Sequence, residues 1–240
     1  MTRHEWILAH PFLEGIARLQ ARIEKAAKTV AVPSLCFPDW DGYRQDFAAG
    51  VPLLASTTAA IDVSAVDAAV PLVLEALTRD DAGEATAGMS DYVRWLVLSS
   101  ALRPITRAFA DWRDDERWMR PHCPTCGSLP AMAQLIGVDP GRQRLLSCGH
   151  CGTRWRYART ACPFCEAQSH RLTGIALEGE GGLRIDYCDS CRGYLKTYDG
   201  QGAEDVMLAD WTSLHLDALA QDRGLRRVAA SLFDLETQTT

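Results

Sequence analysis

The chain has 240 residues, 47% of them apolar and 23% charged, with 25 Lys and Arg against 31 Asp and Glu for a net charge of −6. That composition excludes a disordered or fibrous chain, and the acidic balance supplies no global field for gathering nucleic-acid phosphates. No run reaches the roughly 18 uncharged apolar residues of a bilayer span, and Met1 to Pro11 lacks the long apolar stretch of a secretory leader, so a cytoplasmic protein with no membrane partner is expected.

Residues 1–120 read as helical throughout. Pro11 suits the first turn of a helix whose Phe12, Ile16, Leu19 and Ile23 recur at three- and four-residue steps. Asp39 is placed to cap a helix carrying Trp40, Tyr43 and Phe47. Ser64 to Thr78 bears Val66, Val70, Val73 and Leu77, with Pro71 expected to break or bend it. Asp80 to Met89 reads as a linker. A long helix then runs from about Ser90 through Leu102, is expected to be interrupted near Pro104, and resumes with Phe109, Trp112 and Trp118. These aromatic side chains read as core.

Eight of the nine cysteines form four Cys-x-x-Cys pairs: Cys123/Cys126, Cys148/Cys151, Cys162/Cys165 and Cys188/Cys191. In a reducing compartment such pairs are metal ligands or redox dithiols rather than structural disulfides. Cys36 reads as a small buried hydrophobe. The spacing shows a tandem repeat, since Cys123 to Cys162 is 39 residues and Cys148 to Cys188 is 40. Each copy runs knuckle, hairpin, knuckle, strand. The first has strands within Leu129 to Ile136, Arg142 to Ser147 and Thr153 to Arg159; the second has them near Arg171 to Leu177, Leu183 to Tyr187 and Tyr194 to Tyr198. Asp210 to Arg223 looks like one more helix, with Leu214 and Leu219 apolar and Gly224 as its stop.

A two-residue gap lets both thiolates of a pair face one ion, and a Gly after the second Cys tolerates the positive φ of the tight turn. The repeat pairs Cys123/Cys126 with Cys148/Cys151 and Cys162/Cys165 with Cys188/Cys191; closure of Cys148/Cys151 with Cys162/Cys165 is the competing arrangement. Four thiolates in a tetrahedron suit zinc or a single iron, two ions per chain in all. A unit of about 40 residues buries too little to stand alone, so metal binding is expected to supply much of its folding. Glu166 and Arg192 stand where the first copy has Gly127 and Gly152, so the second cage is expected to be less regular or weaker in metal. His150 and His170 read as surface imidazoles.

Closed sulfur cages leave no position for activating water, and the chain has no Gly-x-x-x-x-Gly-Lys loop, His-Glu-x-x-His helix or Gly-x-Ser-x-Gly elbow, so no catalytic residue is assigned. Residues 121–160 hold five Arg against one acidic residue, Asp139, a local +4. Arg on a ribbon strand is usually solvated surface, and no nucleic acid is expected.

The expected architecture is α+β: a helical domain over 1–120, rubredoxin-like or zinc-ribbon β modules over 121–160 and 161–200, and a C-terminal helical segment over 201–240. Pro121-His122-Cys123-Pro124-Thr125-Cys126-Gly127-Ser128-Leu129-Pro130, the three later pairs, Cys191 to Thr197, and Asp210 to Asp217 with Gly224 and Arg227 resemble the formate dehydrogenase accessory protein family, FdhE, over about residues 118–233. Over the N-terminal half only helical character and His10-Pro11 agree. The resemblance implies a non-enzymatic, cytoplasmic maturation factor, a chaperone with iron at the eight paired cysteines, acting on the catalytic subunit of a respiratory formate dehydrogenase. The residues alone leave open a zinc-ribbon nucleic-acid binder using the Arg patch, a thiol-disulfide redox protein using one pair, and a homodimer as against a single chain.

Overall fold

In the computed structural model the described residues are 14–29, 39–56, 63–80, 89–168, 171–178, 182–200, 209–210 and 212–229, with the single residues 5, 7, 8 and 11. Helices α1 (Glu14–Thr29), α4 (Val63–Asp80) and α5 (Met89–Trp112) pack together through Ile23, Ala26, Val70, Val73, Val93 and Val97. The small alanines of α1 let α4 and α5 approach closely, and this displaces the expected stripe: Ala17, Ala26 and Ala27 are buried while Leu19 is 38% exposed. Phe12, Cys36 and the linker 81–88 lie outside the described residues.

Pro71 and Pro104 do not interrupt their helices as expected. A proline removes one hydrogen bond to the carbonyl four residues back. Both rings sit on exposed positions, so water can take the freed carbonyls while Val70, Val73, Ile105 and Phe109 hold the opposite face in the core. Asp39 does not cap α2 (Tyr43–Ala49). Its carboxylate instead closes the preceding turn, accepting from the Gly42 amide at 2.8 Å. Two single-turn helices, α3 (Leu53–Ser56) and α6 (Asp115–Trp118), complete the layer.

The strands are β1 (Pro130–Ile136), β2 (Gln143–Cys148), β3 (Arg154–Tyr157), β4 (Leu172–Ala176), β5 (Leu183–Cys188), β6 (Gly193–Asp199) and the short β7 (Arg226–Arg227). Both repeat copies share one sheet of order β3-β2-β1-β6-β5-β4. Pairing inside each copy is antiparallel, and the copies join where Met132–Leu135 of β1 runs parallel to Lys196–Asp199 of β6. β7 pairs with the start of β6, ahead of the start of β1.

Strand alternation assigns the two faces. Ala133, Leu146 and Trp155 lie opposite one another across β1–β3 and pack on Tyr43, Phe47, Phe109 and Trp118 of the helical layer. Met132, Leu183, Ile185, Tyr194 and Tyr198 point the other way, against Leu216, Ala220 and Leu225 from α7 (Leu214–Asp222) and the segment after it. Gly224 ends that helix with φ +66°, as the sequence indicates. The fold is α+β, and no helix among the described residues is long and apolar enough to cross a membrane.

Candidate metal centres

Each Cys-x-x-Cys pair forms a turn in which the residue after the second Cys donates its amide to the carbonyl of the first: Gly127 to Cys123 at 2.9 Å, Gly152 to Cys148 at 3.2 Å, Glu166 to Cys162 at 2.9 Å and Arg192 to Cys188 at 2.8 Å. Closing that turn requires a left-handed backbone, and all four residues adopt it, with φ of +80°, +70°, +58° and +59°. The second copy therefore keeps the regular turn of the first, with Glu166 and Arg192 under strain that Gly127 and Gly152 escape.

The ends of the hairpins carry Cys148 and Cys188 back to the preceding knuckles. Cys123, Cys126, Cys148 and Cys151 gather in one group and Cys162, Cys165, Cys188 and Cys191 in another, with all sulfurs of a group within 4.8 Å of one another. Across the first group Cys123 Sγ lies 3.5 Å from Cys151 Sγ and Cys126 Sγ 3.4 Å from Cys148 Sγ. Across the second, Cys162 to Cys191 is 3.8 Å and Cys165 to Cys188 is 3.7 Å. These separations far exceed the roughly 2.05 Å of a disulfide. They lie near the ~3.8 Å edge of a tetrahedron built on metal–sulfur bonds of about 2.3 Å. The pairing is the one the repeat indicates, and the competing closure of Cys148/Cys151 with Cys162/Cys165 is not formed. Two groups of four cysteines can thus each hold one metal ion.

The electrostatics favour a cation. Burial pushes the Cys123 thiol well up, and burial also raises Cys162 to about 12. Hydrogen bonds from Cys123, Cys148 and Cys151 hold Cys126 far below the usual thiol range. Burial opposes ionisation of Cys188, but hydrogen bonds from the backbone of Cys191 and Ser190 and from neighbouring thiols outweigh it and bring Cys188 down to about 7. In each group some sulfurs ionise only at the expense of the others, and four thiolates this close require a positive ion. Amides of His150, Phe164 and Gly193 each donate to a sulfur at 3.4 Å, on Cys148, Cys162 and Cys191 respectively.

The surroundings of the groups differ. In the first, Cys123, Cys148 and Cys151 are buried. The amides of Leu53 and Leu54 donate at 2.8 Å to the carbonyls of Pro124 and Thr125, fastening the helical layer to the knuckle. Thr153 Oγ1 stands 3.1 Å from Cys151 Sγ and 2.8 Å from Thr125 Oγ1, locking the two turns together. In the second group Cys165 is exposed and Cys191 half-buried. That knuckle is held from behind by Arg226, whose amide donates to the Arg192 carbonyl at 3.0 Å and whose Nε donates to the Cys191 carbonyl at 3.2 Å. His150 is exposed and outside the sulfur groups, and His170 is not among the described residues.

Sequence reasoning missed the polar centre behind the sheet. Lys196, fully buried in β6, places Nζ 2.8 Å from Asp210 and 2.6 Å from Asp217. Arg227 reaches the same two carboxylates at 3.0 Å, and the Tyr194 hydroxyl donates to Asp217 at 2.7 Å. This network fastens α7 and β7 to the sheet that carries the second sulfur group. A lysine flanked by Tyr194, Leu195 and Tyr198 in the strand was the available signal.

No family model matches the chain. Among curated proteins it is 33% identical over 147 residues to an FdhE homolog of Aquifex aeolicus, covering 59% of this chain and 52% of that protein. It is 41% identical over 117 residues to an FdhE homolog of Pseudomonas aeruginosa, covering 44% of this chain and 37% of the relative. The chain resembles the FdhE family. The matched segments span about half or less of those curated relatives. The FdhE-like character extends to the fold: the crystal structure of the FdhE protein from Pseudomonas aeruginosa superposes with a TM-score of 0.61 at 24% identity, covering 92% of this chain and 89% of that one.

Proposed function

We propose that the protein is a non-catalytic accessory factor for formate dehydrogenase maturation, which binds the enzyme's catalytic subunit in the cytoplasm through its metal-bearing sheet. The observation that carries this reading is the pair of all-sulfur cages in one sheet, in a chain with FdhE homologs as relatives. On this reading residues 1–120 form the helical body, 121–160 and 161–200 the two modules, and 201–240 the segment that braces the second. The eight paired cysteines are the ligands, Cys123, Cys126, Cys148 and Cys151 for one ion and Cys162, Cys165, Cys188 and Cys191 for the other. Iron follows from the resemblance, and zinc accepts the same donors. Bound metal would supply folding energy to two knuckle-and-hairpin units with small cores.

The alternatives have less support. The arginine patch offers nucleic acid little: Arg142 pairs with Asp199 at 2.8 Å and Arg156 with Glu116 at 3.2 Å, and Arg144 is buried. A redox dithiol gains its reactivity at a helix N-terminus, whereas these pairs lie in turns flanking β-strands. The test is retention of the catalytic subunit by the tagged, metal-loaded protein, together with formate oxidation in a deletion strain. Retention and loss of formate oxidation are expected; no retention and unimpaired oxidation would remove the proposal.

A further inference from the structure

The helical layer covers one face of the sheet over β1–β3. Beside the second sulfur group the same face opens into a cleft of about 140 Å³, walled by Leu135, Phe164, Leu172 and Leu195. Register places Gly174 of β4 opposite Asp186 of β5, and Asp186 opposite Leu195 of β6, on this face.

Three arginines line the cleft, Arg144, Arg159 and Arg184, together with one carboxylate, Asp186, and with Cys162 and Cys188 of the second sulfur group. Asp186 is already occupied, accepting from Arg184 Nε at 2.8 Å and from the Thr197 hydroxyl at 2.7 Å. Arg144 is not. It is only 6% exposed and lies 5.2 Å over the Tyr157 ring. Its Nη2 donates to the Ala158 and Ala161 carbonyls, its buried Nε finds no acceptor, and none of the ion pairs among the described residues includes it. A buried guanidinium ordinarily has a carboxylate partner. Arg159 adds a second cation, whose Nη1 donates to the Arg142 carbonyl at 3.3 Å and lies 3.6 Å from the exposed Asp139. Glycine at 174 keeps the space open: an added Cβ would meet Asp186 Oδ1 at 3.4 Å, an ordinary contact, so the strand itself does not require glycine there. The volume is well under the roughly 300 Å³ at which drug-sized ligand pockets begin. It suits one side chain.

We propose that this cleft receives an acidic side chain of the client polypeptide, a Glu or Asp whose carboxylate pairs with Arg144 and Arg159 while its neighbours lie on the apolar walls. The proposal rests on the maturation-factor reading and names the surface through which it acts. Arg144 has one competing role, as a counter-charge to the nearby cage, and ion content distinguishes the two.

The test uses the metal-loaded full chain and a fluorescein-labelled peptide of alternating Glu and Leu, read by anisotropy beside its Gln-Leu counterpart. The Glu peptide should bind at least about tenfold more tightly, as for a desolvated charge pair, despite the chain's net charge of −6. Gly174→Val, which fills the cleft, and Arg159→Gln should abolish that preference, as should Arg144→Met, each with metal content unchanged. Equal binding of the two peptides overturns the proposal, as does a Glu preference that survives Gly174→Val, or loss of metal in Arg144→Met with the preference intact in the other two variants. Binding of glutarate without the peptide overturns it in favour of a small carboxylate. In pull-downs of the formate dehydrogenase catalytic subunit, retention by the wild type and loss by Gly174→Val supports the cleft. Retention by both overturns the cleft alone, and failure of the wild type overturns the maturation reading with it.

Discussion

Exchanging the residues that close the knuckles, Gly152→Ala in the first cage and Glu166→Gly in the second, should move stability in opposite directions. Gly152 has φ +70° and nothing within 4 Å of an added Cβ, so alanine meets no clash and only the left-handed backbone opposes it. That conformation costs a non-glycine residue about 1–2 kcal/mol, offset by about 0.5–1 kcal/mol of unfolded-chain entropy that glycine would have lost. The net is about 1 kcal/mol of destabilisation. Glu166, exposed and at φ +58°, already bears the strain, and glycine should recover a similar amount. Arg192→Gly is less clean, because it also removes a 2.7 Å bond to the Arg223 carbonyl and the stacking of Arg192 over Tyr187. Thermal unfolding of the metal-loaded chain should shift by about 2–4 °C down for Gly152→Ala and up for Glu166→Gly. Because the turn presents the sulfurs, chelator competition should shift by about fivefold in the same directions. A neutral Gly152→Ala together with a destabilising Glu166→Gly would refute the common turn.

The cages should lose metal in order: a chelator should empty the second first, and iodoacetamide should label Cys165 before any sulfur of the first group, as mapped by mass spectrometry, because Cys165 is exposed while Cys123, Cys148 and Cys151 are buried. Simultaneous loss, or earlier labelling of Cys123, would contradict the difference in burial. Lys196→Met removes one of the cations on Asp210, itself fully buried, leaving its pair with Arg227. Denaturant unfolding should show a loss of about 3 kcal/mol; a change below about 0.5 kcal/mol would mean the network does not hold α7 in place.

The parts legible in the sequence were those set by local chemistry. Four Cys-x-x-Cys pairs at repeating intervals gave the two sulfur groups, and alternating side chains such as Leu183-Arg184-Ile185-Asp186-Tyr187 gave the strands. The parallel junction of β1 with β6 was not legible, because it joins residues more than sixty positions apart and both strands read the same whether the modules stand apart or share a sheet. Pro71 and Pro104 misled for a related reason: a local rule predicts a break, but burial of the opposite helix face outweighs one missing hydrogen bond. Glu166 and Arg192 suggested a less regular second cage, yet the turn geometry is imposed by the shared hairpin arrangement and the side chains accept its strain. Lys196 went unremarked because its partners Asp210 and Asp217 lie on a different element.

The most direct test of the central claim is to count ions per chain after anaerobic purification, by elemental analysis with a visible spectrum of the same sample. Two ions per chain are expected, falling to one when Cys123 and Cys126 are replaced by serine, with colour if the metal is ferric iron and none if it is zinc. A folded chain with no bound metal, or with its eight cysteines recovered as disulfides, would contradict the account.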